Sequence, residues 1–181
     1  MASGQFAKSR QIIVAIKLKR YTVVMRLFVN ATKARAARTA ESGQIVYLYA
    51  GLLVIFAVAQ LFTFEEFVPL INQYGLVGGE VFSRLVASVL VSAEVLALPF
   101  LLGLRVSSLM RWFSLGLAIA VPIIWLGLAL VANITRVSLV NVGYLGTKVH
   151  LVSGAWTIFF SLALLILAVW SAWALWPGKR K

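Results

Sequence analysis

The residue best placed to carry chemistry is Glu94, in the middle of an apolar run from Leu85 to Leu104. The run is long enough to cross a membrane as a helix, and a carboxyl group at that depth costs on the order of 3 kcal/mol unless it faces protein, water or a partner. Ala87 and Ala97 share its side of an ideal helix, and small residues mark the face that packs against other helices. We therefore expect Glu94 to point into a helix bundle.

Three uses are open for this carboxyl group. It can be a neutral, hydrogen-bonded structural group, since burial disfavours the charged form of an acid. It can relay protons or contact a quinone, or it can form a hydrogen bond or ion pair with another chain. The first use, a neutral structural carboxyl, is the simplest of the three.

The other candidate site residues are aromatic. His150, the only histidine, lies at the predicted outer end of the fourth apolar run and could ligate haem or hydrogen-bond a quinone carbonyl, although interfacial packing is the simpler role. Trp125, Trp156 and Tyr144 are weaker candidates for cofactor contacts, with lipid or helix contact as the alternative. One histidine without cysteine gives no metal-ligand spacing, and no catalytic triad or phosphate-binding loop is evident. We expect the isolated chain to bind no metal, haem or flavin, and a quinone or lipid only at an interface.

The elements that must position these residues are membrane helices. Hydrophobic residues make up 62% of the 181-residue chain, and four runs approach or exceed the roughly 20 residues that a membrane-spanning helix needs. Because lipid offers no partners to unpaired backbone groups, the runs should be helical. The sequence predicts an all-α, integral membrane four-helix bundle with spans at Ile45–Phe64, Leu85–Leu104, Trp112–Ile134 and Val149–Trp176.

Charge distribution predicts the orientation of the bundle. Nine of the seventeen basic residues lie between Lys8 and Arg38, ahead of the first span, and three more end the chain. With both termini inside, fourteen basic residues face inward and three outward, a strong positive-inside signal. We expect a multi-pass protein of the cell (cytoplasmic) membrane with both termini cytoplasmic. Basic segments beside spans favour contact with anionic lipid or a neighbouring subunit rather than nucleic acid.

The chain divides into a basic segment (1–44), a four-span domain (45–176) and a basic tail (177–181). Apolar residues from Ile12 to Phe28 recur at helical spacing among basic residues, which predicts an amphipathic helix on the membrane, with a strand as the alternative. Lys33, Arg35 and Arg38 look like its helical continuation.

The two predicted outer connections should also contain structure. The first, from Glu65 to Arg84, is too apolar for a solvated loop and should contain a short helix that lies along the outer interface. In the second, Arg136, Asn141 and Lys148 should form a polar outer patch. Glu65, Glu66 and Glu80 are expected to lie near this patch and to form intramolecular charge pairs with it.

Three segments together resemble the DoxX/MauE-like family of four-helix membrane proteins. They are Ile71-x-x-Tyr74-Gly75-Leu76, Glu94 followed nine residues later by Gly103-Leu104-Arg105, and the Asn-Val-Gly-Tyr-Leu-Gly segment at 141–146. The resemblance covers roughly residues 45–170. Family members often carry Asn-Cys-Gly-Cys-Phe-Gly in the third segment, where this chain has Val142 and Tyr144 in place of the cysteines.

The resemblance implies a place in membrane redox chemistry, in quinone-linked oxidase subunits or in redox-protein maturation. Since the chain has no cysteine, it cannot exchange disulfides itself. We therefore expect an accessory subunit of a membrane redox complex, with other subunits as partners. The alternatives are a quinone-reactive subunit that uses Glu94 for proton transfer and a small transporter, which the lack of evident inverted repeats disfavours.

Overall fold

The computed structural model describes residues 31, 36–76, 78–137 and 139–176, and this part of the chain is all-α. Four of its five helices are long and apolar enough to cross a membrane, which confirms the predicted four-helix membrane bundle. The amphipathic helix predicted over residues 12–28 lies outside the described residues. The helices are α1 (Ala40–Phe62), α2 (Phe64–Asn72), α3 (Gly79–Leu101), α4 (Ser108–Ile134) and α5 (Ala155–Ala174).

The long helices form a closed ring in which α1 packs on α3 and α5, and α4 packs on α3 and α5. The short connection between α3 and α4 makes them antiparallel neighbours, as predicted. Ser114 of α4 secures this pair, because its hydroxyl donates to the Ala97 carbonyl (3.0 Å) and accepts from the Phe100 amide (3.0 Å). These contacts flank Pro99, which has no amide hydrogen to contribute to the helix.

The first helix begins earlier than hydropathy predicts, at Ala40 rather than Ile45. Thr39 and Ser42 form a capping box, in which each side chain bonds the backbone amide of the other residue. Arg38 precedes this cap and is not helical, so the predicted helical continuation through Arg38 is wrong. Lys33 and Arg35 lie outside the described residues.

The predicted boundary of the last span is also wrong. The sequence predicts a helix from Val149, but α5 begins at Ala155 and ends at Ala174. The amide of Val142 donates to the Leu151 carbonyl (2.8 Å), and the amide of Ser153 donates to the Leu139 carbonyl (2.9 Å). These bonds hold 149–154 as a loop, whose apolar residues hydropathy cannot distinguish from the start of a span.

The short helix predicted between the first two spans is present as α2. It buries Phe67, Val68 and Ile71 and packs on α3, so it forms part of the bundle. Intramolecular charge pairs occur here, but with Arg84 rather than with Arg136 or Lys148: Arg84 lies 3.9 Å from both Glu65 and Glu80. All three side chains are largely exposed, so these ion pairs add little stability.

Candidate functional site

The carboxyl group of Glu94 joins three helices inside the bundle. Its Oε1 accepts hydrogen bonds from Trp125 Nε1 on α4 (3.2 Å) and from Gln60 Nε2 on α1 (3.4 Å). Glu94 is fully buried, as are Ala87 and Ala97 on the same face of α3. The prediction that Glu94 points into the bundle is confirmed.

The α4–α5 connection adds a fourth residue to this group. Gln60 Nε2 also donates to the carbonyl of Tyr144 (3.1 Å), and the Tyr144 ring lies 4.3 Å from the Trp125 ring, centroid to centroid. The connection therefore folds inward and closes the end of the bundle over the carboxyl. We refer to Gln60, Glu94, Trp125 and Tyr144 as the Glu94 cluster.

Asn141 holds this connection in its inward shape. Its Oδ1 accepts from the Gly143 amide (3.0 Å), and its Nδ2 donates to the Gly146 carbonyl (2.9 Å). Asn141 is buried, so its predicted place in a polar outer patch is wrong: its amide satisfies the backbone of the turn instead of facing solvent. Gly143 and Gly146 both have positive φ angles, 89° and 62°, which glycine adopts without strain.

Two tyrosines anchor the connection through their hydroxyl groups. Tyr74, after α2, donates to the Val142 carbonyl (2.9 Å), and the Tyr144 hydroxyl lies 2.6 Å from the hydroxyl of Ser161 on α5. Burial raises the pKa of Tyr144 to about 12 despite the opposing effect of the Ser161 hydrogen bond. Burial also raises the pKa of Tyr74 above its ordinary value. Both phenols therefore stay protonated near neutral pH and can donate.

Two acceptors of the Glu94 cluster have no hydrogen-bond partner among the described residues. They are Glu94 Oε2 and Gln60 Oε1, both buried. An unsatisfied buried acceptor costs about 1–3 kcal/mol, so a proton on the carboxyl or an enclosed water would stabilise the site. The arrangement is suited to holding a proton. The described residues contain no group of three metal-ligating side chains.

The structure separates the other predicted site residues. Trp125 and Tyr144 belong to the cluster, and Trp156 lies at its edge, with its ring centroid 6.3 Å from that of Tyr144. Trp156 Nε1 donates to the Val152 carbonyl (2.8 Å), so its polar atom is already used. His150 is exposed in the loop before α5 and does not join the cluster.

Gln60 is the member of the cluster that sequence reasoning missed. It is fully buried near the end of α1, although amides are uncommon in apolar spans. A polar side chain within a membrane segment is itself a signal of an inward-facing position. That signal was present in the run Ala59-Gln60-Leu61.

Comparisons with protein-family models, curated proteins and solved structures gave no match. The resemblance to the DoxX/MauE-like family therefore stays a prediction. In the fold, the segments that carry the resemblance meet: Tyr74 bonds Val142, and Gln60 connects Glu94 to Tyr144.

Proposed function

We propose that this chain is a non-catalytic integral membrane subunit that stabilises the assembly of a membrane redox complex. The observation that carries the proposal is the burial of Glu94 among three helices and a closing loop. Its Oε1 already accepts two hydrogen bonds, and no part of the residue is exposed. A carboxyl in that setting supports packing more readily than it reaches a substrate.

The redox part of the proposal rests on the family resemblance. The positions where family members often carry cysteines hold Val142 and Tyr144, and both side chains are buried. Tyr144 packs against aromatic rings from three helices, those of Phe56, Trp125 and Phe160. Under the resemblance, an aromatic contact occupies a position where family members often carry a thiol, which supports a non-catalytic role beside a catalytic partner.

Native electrophoresis in a mild detergent tests this function. We expect the tagged full-length chain to migrate with partner subunits in fixed stoichiometry. Removing residues 2–38 should release the chain from that complex, because the basic segment is the expected docking element. Arg84→Gln serves as the control, since among the described residues Arg84 pairs with two exposed glutamates at the end of the bundle away from the start of α1. A wild-type chain that migrates alone in its native membrane extract would contradict the proposal.

A quinone-reactive subunit is the second candidate, and the unpartnered Glu94 Oε2 and Gln60 Oε1 favour it. A carboxyl with a free oxygen can take up and release a proton when a carrier is reduced and reoxidised. In this case a partner subunit would supply the quinone and its electrons. Replacing Glu94 with glutamine in the assembled complex separates the two candidates.

We also propose that the α3–α4 connection faces the cytoplasm and the α4–α5 connection faces outward, as the charge distribution predicts. Ser108 and Lys148 are exposed residues at these two ends. Lys148→Cys should react with an impermeant thiol reagent in intact cells, whereas Ser108→Cys should react only after the membrane is opened. The native chain contains no cysteine and provides the unlabelled control. The reverse pattern would invert the topology.

A further inference from the structure

An apolar groove of about 590 Å³ runs along α5, away from the Glu94 cluster. From residue 162 to residue 173 it extends roughly 16 Å at the rise of an α-helix. This length matches one leaflet, since the hydrocarbon core of a bilayer is about 30 Å thick. The groove is lined by Leu162, Leu165, Ile166, Val169, Trp170 and Trp173.

A cation lies at one end of this groove. The guanidinium carbon of Arg38 is 4.4 Å from the centroid of a Trp173 ring. Arg38 is exposed, and among the described residues no carboxylate pairs with it. A guanidinium held over an aromatic ring keeps its N–H donors free at its edge, where they match the oxygens of a phosphate.

A second recess of about 490 Å³ adjoins Arg38 and is more polar than the groove. It is lined in part by Thr39 at the start of α1 and by Gly103 after α3. Arg105 follows Gly103 by two residues in the sequence. The positive end of the α1 dipole adds to the positive electrostatic potential of the recess. Glu41 is exposed in the first turn of α1, and its negative charge opposes the positive potential of the recess. Binding of an anion there therefore depends on Arg38.

We propose that the α5 groove binds one anionic phospholipid, with an acyl chain along α5 from Leu162 to Trp173 and the headgroup phosphate on Arg38. The apolar and basic surfaces meet at the Arg38–Trp173 contact, as the two parts of a phospholipid require. A cation at the end of the groove favours a net negative headgroup over a zwitterionic one, whose ammonium group it repels. The charge distribution predicts that the Arg38 end of the groove lies in the cytoplasmic leaflet. Basic residues there attract anionic lipids. This inference does not depend on the redox assignment.

Native mass spectrometry of the full chain in a neutral detergent tests the proposal, with phosphatidylglycerol and phosphatidylcholine of identical acyl chains as probes. We expect one retained phosphatidylglycerol, with about a fivefold preference over phosphatidylcholine. Arg38→Gln should abolish the preference. Ile166→Trp should fill the groove and weaken retention of both lipids alike, whereas Arg84→Gln should leave retention unchanged. Unchanged thermal midpoints for the variants would establish that each is folded.

Three results would overturn the site. Equal retention of both lipids by the native chain would show that no anionic headgroup is selected. A preference that survives Arg38→Gln but disappears when residues 2–30 are removed would assign the charge to the basic N-terminal segment. If Ile166→Trp displaces a partner subunit from the native complex without affecting lipid retention, the groove binds protein rather than lipid.

Discussion

Replacing Glu94 with leucine is expected to destabilise the folded chain by roughly 1–3 kcal/mol. Leucine occupies the space but removes the acceptor for Trp125 Nε1 (3.2 Å) and Gln60 Nε2 (3.4 Å). Both donor residues are fully buried, and Trp125 Nε1 would be left without its carboxyl partner. Thermal unfolding in detergent should show a clear decrease in the midpoint.

Glutamine at the same position is the matched control. Its carbonyl oxygen can accept the same two hydrogen bonds, and the side chain has almost the same size and shape. We therefore expect Glu94→Gln to keep the native midpoint. Trp125→Phe removes the orphaned donor, so the combination with Glu94→Leu should cost less than the sum of the single changes. A Gln variant as unstable as the Leu variant would contradict this account of the cluster.

The second large effect is expected at Gly146, where alanine should prevent the α4–α5 connection from packing on α1. A Cβ atom at this position would lie 2.6 Å from the Ala59 carbonyl oxygen and would also collide with Thr63 Oγ1. The φ angle of 62° adds left-handed strain of about 1–2 kcal/mol. The collision with backbone adds about 1–3 kcal/mol, because the helix cannot move aside locally.

Gly75→Ala separates the effect of backbone strain from the effect of the steric collision at Gly146. Gly75 has a similar φ angle of 68°, but a Cβ atom there would meet nothing within 4 Å. The thermal midpoint should therefore fall substantially more for Gly146→Ala than for Gly75→Ala. Equal decreases would show that the close approach of the connection to α1 does not contribute to stability.

The inward orientation of Glu94 could be predicted from sequence because a helix has a fixed period. Ala87 and Ala97 lie on the same face of α3, and the cost of a carboxyl in lipid selects the side that faces protein. Helix boundaries were less predictable because hydropathy does not detect caps. Glu80 and Arg84 occupy the first turns of α3 although they are charged, and the Thr39 capping box extends α1 beyond its apolar run.

The inward folding of the α4–α5 connection could not be predicted from local patterns. Its shape depends on partners distant in sequence, such as Gln60, which bonds the carbonyl of Tyr144 84 residues later. Hydropathy assigns Val149–Val152 to a span because it counts apolar residues and does not detect that Val149 and Val152 are exposed in a loop. The Asn141 side chain was placed outside because its role in bonding the turn becomes evident only with the positive φ angles of Gly143 and Gly146.

The most direct test of the supporting role is the turnover of the purified complex that contains Glu94→Gln. Glutamine preserves the size and hydrogen-bond acceptor of the side chain but cannot exchange a proton. If the chain is a non-catalytic subunit, the complex should retain its subunit stoichiometry and the electron-transfer rate of the native complex. A complex that assembles normally but has lost turnover would contradict the proposal and assign proton transfer to Glu94.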